Sequence, residues 1–126
     1  MKRLICAVVI LCFVFGITLY SSRYLAGLVG GYSHELTLAG ELAQQGMWRQ
    51  ALEKTQTVFA DWEERDFYMH VLLHHSDIDA IRLTFHEVQE YLKLAEPDQY
   101  TAANAKLVEQ LQLLIESEQL TVKNVL

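Results

Sequence analysis

Residues 4–20 contain no charged side chain, and this run constrains the chain more than any other feature. Lys2 and Arg3 precede it, and Ser21, Ser22 and Arg23 follow it, the pattern of a membrane-insertion signal. A cleaved signal peptide and a retained anchor both begin this way, and the exit residues decide between them. Signal peptidase needs small side chains there, whereas Leu19 and Tyr20 occupy the exit ahead of Ser21 and Ser22. Cys12 follows Ile10 and Leu11, without the small neighbour of a lipoprotein site, so the segment reads as an uncleaved anchor. As a helix it spans about 25 Å, a little less than the ~30 Å hydrocarbon core of a bilayer. Tyr20 and Tyr24 cover the difference at the headgroup level, where a tyrosine ring is buried and its hydroxyl wet. Lys2 and Arg3 outweigh Arg23, which predicts a single-pass protein in the cell membrane with a cytoplasmic N-terminus and an extracytoplasmic remainder.

The 126 residues leave room for one compact domain beyond the anchor. Past Arg23, seven Lys or Arg stand against sixteen Asp or Glu, a net charge of −9. An acidic surface of this kind excludes nucleic acid as a partner and disfavours tight docking on anionic lipid. Both cysteines, Cys6 and Cys12, fall in the apolar run, so the outer domain has neither a disulfide nor a cysteine metal site to stabilise it. Its stability must come from packing.

The rest reads as helix. Gly27, Gly30 and Gly31 are expected to break the helix leaving the membrane, with Ser33 capping a short helix over 33–45 that carries Leu36, Ala39, Leu42 and Ala43 inward. Gly46 ends it. Trp48, Ala51, Leu52, Thr55, Val58, Phe59 and Trp62 then recur at i, i+3 and i+4, and the same face continues to Met69 and Leu73. Ser76 is placed to cap a third helix, with Asp77 and Asp79 in its first turn, where acids meet unpaired backbone N–H groups. Its core face is Ile78, Ile81, Phe85, Val88 and Leu92, and Asp79, Arg82, His86, Glu90 and Lys93 form a solvated flank. After the break at Pro97 and Asp98, a fourth helix over about 99–118 turns Tyr100, Ala103, Leu107, Leu111 and Leu114 inward.

A faint internal repeat at an offset of 52 residues matches His34-Glu35 with His86-Glu87, Leu42-Ala43 with Leu94-Ala95, Ala51 with Ala103 and Lys54 with Lys106. It also sets Trp48 against Tyr100, each three residues before an alanine. The expected fold is all-α: an N-terminal transmembrane helix followed by a small antiparallel four-helix bundle made of two helical hairpins. Residues 1–31 form the cytoplasmic stub, anchor and linker, and residues 32–126 the extracytoplasmic domain.

With these residues in view, the chain resembles a family of small single-pass proteins of Gram-positive bacteria known as domain of unknown function 4363. The resemblance rests on the N-terminal anchor, on Trp62 followed by His75, Asp77-Ile78-Asp79 and Ile81, and on the closing Asn124-Val125-Leu126. The family has a glutamate where Asp77 stands and a further tryptophan near Phe67 or Tyr68. The resemblance implies no activity. It implies a partner, since such proteins are often encoded beside a small multi-pass membrane protein.

The residues that could carry chemistry lie between Trp62 and Asp79. His70 and His74 are one helical turn apart, a spacing that can present two imidazoles to a divalent metal, with His75 or Asp77 as a third ligand. Val71 stands where a hydrolytic zinc helix would place its glutamate base, so metal-assisted hydrolysis is not expected. The simpler reading is one packed and one solvated histidine. His75, Ser76 and Asp77 are adjacent in sequence, which is not the geometry of a triad assembled from separate elements, and a helix start explains them with less. Histidines beside carboxylates could also respond to pH between about 5 and 7. Trp48 and Trp62 fall on a core stripe, so packing explains them before ligand binding does. Leu120, Val122, Val125 and Leu126 make an apolar tail expected to fold back on the bundle or dock on a partner.

The function expected from the sequence is therefore a non-catalytic interaction or assembly partner of another membrane protein, with no cofactor. It would contact the bilayer through residues 4–20 and the partner through a helix face or the tail. The alternative is a histidine-based module for divalent metal or pH, which calorimetric titration with zinc separates from the first reading. No glycine-rich cradle and no separated nucleophile and base point to an enzyme.

Overall fold

The computed structural model describes residues 1–65 and 75–125. Among these residues there are four helices and no strand: α1 (Lys2–Gln44), α2 (Trp48–Glu64), α3 (His75–Leu94) and α4 (Pro97–Val125). α1 packs on α2 and α4, and α3 packs on the same two, so the four helices enclose one core.

The largest departure from the sequence reading is α1, which runs without interruption from Lys2 to Gln44 through Gly27, Gly30 and Gly31. Neither the break at these glycines nor the cap at Ser33 forms, and the helix predicted over 33–45 is the end of a longer one. The reason lies in the face the glycines do not occupy. Leu25, Val29, Tyr32, Leu36, Ala39 and Ala43 alternate spacings of four and three and are all buried. A helical glycine costs about 1 kcal/mol against alanine, so three cost about 3 kcal/mol. Burying a large apolar side chain returns roughly 1.5–3 kcal/mol, and Leu25, Val29 and Tyr32 contribute three of them across this stretch. Packing outweighs propensity. The core therefore reaches back to Leu25, ahead of residue 32, where the sequence reading starts the folded domain.

Upstream of Leu25 the large apolar residues of α1, from Leu4 to Tyr20, are all exposed. α1 thus carries one stretch long and apolar enough to cross a membrane, none of it covered by the bundle.

Two bends use the same device. At the end of α1, Gly46 adopts a positive φ of 80°, its N–H bonding Ala43 O at 3.0 Å while the N–H of Met47 bonds Leu42 O at 2.9 Å. This pair of bonds satisfies carbonyls that the helix end would leave open. At the end of α3 the same pattern recurs around Ala95, at a φ of 51°, with Ala95 N–H to Leu92 O at 3.2 Å and Glu96 N–H to Tyr91 O at 3.1 Å. Pro97, whose missing N–H costs nothing in a first turn, then opens α4. The rings of Trp48 and Tyr100, just beyond the two bends, meet edge to face at 6.0 Å, so both bends lie at one end of the bundle.

The expected core faces of α3 and α4 are buried in full, and Ala51, Thr55, Val58 and Trp62 are the buried residues of α2. α2 stops at Glu64, short of the expected Leu73; Met69 and Leu73 lie outside the described residues. α3 is helical from His75, the first described residue after the gap, so Ser76 lies within the helix and not at its cap. α4 extends beyond residue 118, and the backbone of residues 120–125 continues the helix.

Candidate functional site

The polar groups most tightly organised in the bundle join α1 to α2 near the end where the apolar run leaves. Tyr24 and Tyr32 stand two turns apart on α1, Asp61 occupies the last turn of α2, and Arg65 caps that helix. The Tyr32 hydroxyl donates to Asp61 Oδ2, which also accepts from Arg65 Nε at 3.2 Å, and Arg65 Nη1 donates to the Tyr24 hydroxyl. Arg65 Cζ lies 6.0 Å from the centre of the Tyr24 ring. Beneath this chain of bonds the aromatic core continues, with Tyr32 edge-on to Trp62 at 6.2 Å and Trp62 tilted against Phe85 at 6.0 Å.

The electrostatics follow from the geometry. Burial pushes the Tyr32 hydroxyl well above the usual phenol range, and its bond to Asp61 adds to the shift. The same bond, with Arg65 assisting, holds the Asp61 carboxyl below the usual carboxylate range against the opposing effect of burial. Asp61 is thus a fixed anion at neutral pH, poorly matched to exchanging protons. The cluster is a clamp between helices.

Beside the clamp a groove of about 680 Å³ runs between α1 and α2. Gly27, Leu28 and Gly31 form one wall and Thr57, Val58 and Asp61 the other. A Cβ placed on Gly27 or Gly31 would meet nothing within 4 Å, so the glycines leave the α1 backbone bare along this wall. The 2.7 Å ion pair between Lys54 and Glu35 spans the two helices farther along the groove, and the Lys54 bond holds the Glu35 carboxyl below its usual range.

A second groove, of about 750 Å³, lies between α1 and α4 over Gly40, Tyr100 and Asn104. Asn104 Nδ2 donates to Leu36 O at 3.1 Å in mid-helix. A Cβ on Gly40 would stand 3.3 Å from that nitrogen and 3.9 Å from the Tyr100 oxygen, so glycine permits the close approach of α4. Burial pushes the Tyr100 hydroxyl up to about 12.

Of the expected metal ligands, His70 and His74 lie outside the described residues, as do Phe67 and Tyr68. His75 opens α3, and Asp77 is exposed in its first turn. Among the described residues no group of three or more His, Cys, Asp or Glu is assembled to hold a metal. His86 is exposed on the flank predicted for it, with its ring edge-on to Phe59 of α2 at 5.1 Å. Trp62 is fully buried and Trp48 partly so, both packed against the core as expected.

Sequence reasoning missed Tyr24, Tyr32, Asp61 and Arg65. Two signals were present: tyrosines eight residues apart, which share a helix face, and an Asp–Arg pair at i and i+4. Nothing in the sequence brings the two pairs together.

No curated protein and no solved structure matches the chain. The family described as Domain of unknown function (DUF4363) matches residues 19–125, from the end of the apolar run through all the packed helices, and the chain belongs to that family.

Proposed function

We propose that the chain is a single-pass membrane protein whose bundle stands on the outer face of the cell membrane as a non-catalytic docking module for another membrane protein. The observation that carries this reading is α1 itself. One helix supplies both the exposed apolar run and a full side of the core, so anchor and domain form one rigid body and the bundle is held at a set height above the bilayer. A free enzyme or solute binder gains little from such rigidity, whereas a docking module needs its surface presented at a fixed depth. Lys2 and Arg3 favour a cytoplasmic N-terminus, which puts the acidic bundle outside.

Two antiparallel hairpins, α1–α2 and α3–α4, are the arrangement that best accounts for the contacts. Tyr24 pairs with Arg65, Tyr32 with Asp61 and Glu35 with Lys54, numbers falling along α2 as they rise along α1. The short bends at 45–47 and 95–96 favour the same topology. On this arrangement the α1–α2 groove opens beside the membrane, where the bare backbone at Gly27 and Gly31 suits close approach of a partner's helix.

A photo-crosslinking residue at Thr57, on the groove, tests this in the native membrane. A discrete adduct with one membrane protein, missing when the crosslinker is moved to Glu90 of α3, is the expected result. No adduct from Thr57, or the same adducts from both positions, would end the proposal. Topology is read separately: a Gln112→Cys variant should react with a membrane-impermeant thiol reagent on intact cells lacking an outer barrier, and protection until lysis would reverse the orientation.

A further inference from the structure

We infer that the last turns of α4 enter the outer leaflet of the bilayer alongside α1, so that the bundle is seated in lipid at two points. The inference rests on the antiparallel arrangement proposed above. On that arrangement Asn104 lies level with the turn from Leu36 to Gly40, since its Nδ2 donates to Leu36 O and stands 3.3 Å from a Cβ placed on Gly40. Each step forward on α4 is therefore one step back on α1. The same register brings position 120 level with residues 20–24 and position 125 level with residues 15–19, at the outer end of the apolar run.

The length of α4 carries it to the same level. α4 continues to Val125, eleven residues past Leu114, its last described core residue. At 1.5 Å per residue those eleven rise about 16 Å. On this register Leu114 stands about 9–15 Å short of the level of Tyr20 at the same rise. The end of α4 thus passes the level of Tyr20 by about 2–8 Å.

Charge follows the same boundary. Glu109, Glu116 and Glu118 punctuate α4 up to the level of residues 22–26, and no acidic residue follows. Beyond them Leu120, Val122 and Val125 stand at positions level with the outer end of the anchor, with Lys123 the one charged side chain among residues 119–126. A tail that served only as soluble surface would have no reason to lose its acids at that level. The occupant that fits is the acyl–headgroup boundary of the outer leaflet.

Depth quenching in vesicles tests this on the full chain, with Cys6→Ala and Cys12→Ala removing the native thiols. An environment-sensitive fluorophore is placed on Val125→Cys, Phe15→Cys or Gln112→Cys, and each protein is reconstituted alone in phosphatidylcholine. Lipids spin-labelled on the acyl chain should quench the probe at 125 about as strongly as that at 15 and several-fold more than that at 112. A probe at 125 as wet as that at 112 would overturn the inference, including a probe that becomes shielded only in native membranes, where a protein covers the tail. A spin-label pair at Gly30→Cys and Glu109→Cys separates the two levels of argument. If the pair is close while position 125 is wet, the lipid seat alone fails; if the pair is far apart, the antiparallel arrangement and the lipid seat fail together.

Discussion

Replacing Gly30 by alanine tests whether packing carries α1 through its glycines. Gly30 lies on the exposed side of α1, and a Cβ there would meet nothing within 4 Å. In an uninterrupted helix the substitution gains the full difference in helix propensity, about 0.8–1.0 kcal/mol. For a domain of this size 1 kcal/mol moves the thermal midpoint by about 4–8 °C. Both tryptophans belong to the bundle, with Trp62 fully buried, so their fluorescence in detergent micelles follows the domain and ignores the anchor. Gly40→Ala is the matched comparison. It gains the same propensity, but its Cβ would crowd Asn104 Nδ2 at 3.3 Å, a nitrogen already held by Leu36 O, so its midpoint should rise less or fall. A Gly30→Ala protein that melts no higher than the parent would refute the continuous helix, since alanine strains a break at that point and relieves nothing.

Removing the phenol oxygen with Tyr32→Phe should cost about 1.5 kcal/mol, the low end for a hydrogen bond to a charged group, because Asp61 is 37% exposed and keeps Arg65; chemical denaturation measures it, and a neutral result would remove the clamp from the account. The depressed Asp61 carboxyl implies stability that is full above the ordinary carboxylate range and lost as the pH falls below it through the native value, a loss that a denaturation series against pH should show shrinking in Asp61→Asn. At the other extreme Tyr100, at about 12, contributes stability that is full below about pH 10 and lost between about 10 and about 12, so Tyr100→Phe should flatten the alkaline limb of the same series. Ala95→Gly should raise stability by about 1 kcal/mol, since an L side chain at a φ of 51° carries a cost that glycine does not; an unchanged midpoint would mean that the bend has another geometry.

The core was legible wherever one helix face decided it. Ile78, Ile81, Phe85, Val88 and Leu92 of α3, and Tyr100 to Leu114 of α4, are the residues their spacing selects, because burial and the 3.6-residue period act on the same short stretch. Even the weak repeat had content, since the two aromatics it sets in correspondence, Trp48 and Tyr100, touch. The glycines of α1 misled because propensity is local and the packing that overrides it is not: Leu25 and Val29 look like the trailing edge of a membrane segment until α4 is beside them. The clamp was illegible for a similar reason. Tyr32 and Asp61 are 29 residues apart, and Tyr24 and Arg65 are 41 apart, distances over which a sequence carries no geometry. The histidines drew attention because residue type alone marks them, yet chemistry depends on what faces them, and His70 and His74 lie outside the described residues.

The central claim is that anchor and bundle are one rigid body joined by an unbroken α1. Spin labels at Phe13→Cys and Gln44→Cys, with Cys6 and Cys12 replaced by alanine, sit on exposed positions in the apolar run and at the far end of that helix. Pulsed electron resonance on the reconstituted protein should give one narrow distribution near 46 Å, the rise of 31 residues at ~1.5 Å each. A broad distribution, or a shorter distance from a bend at Gly27 to Gly31, would contradict the account.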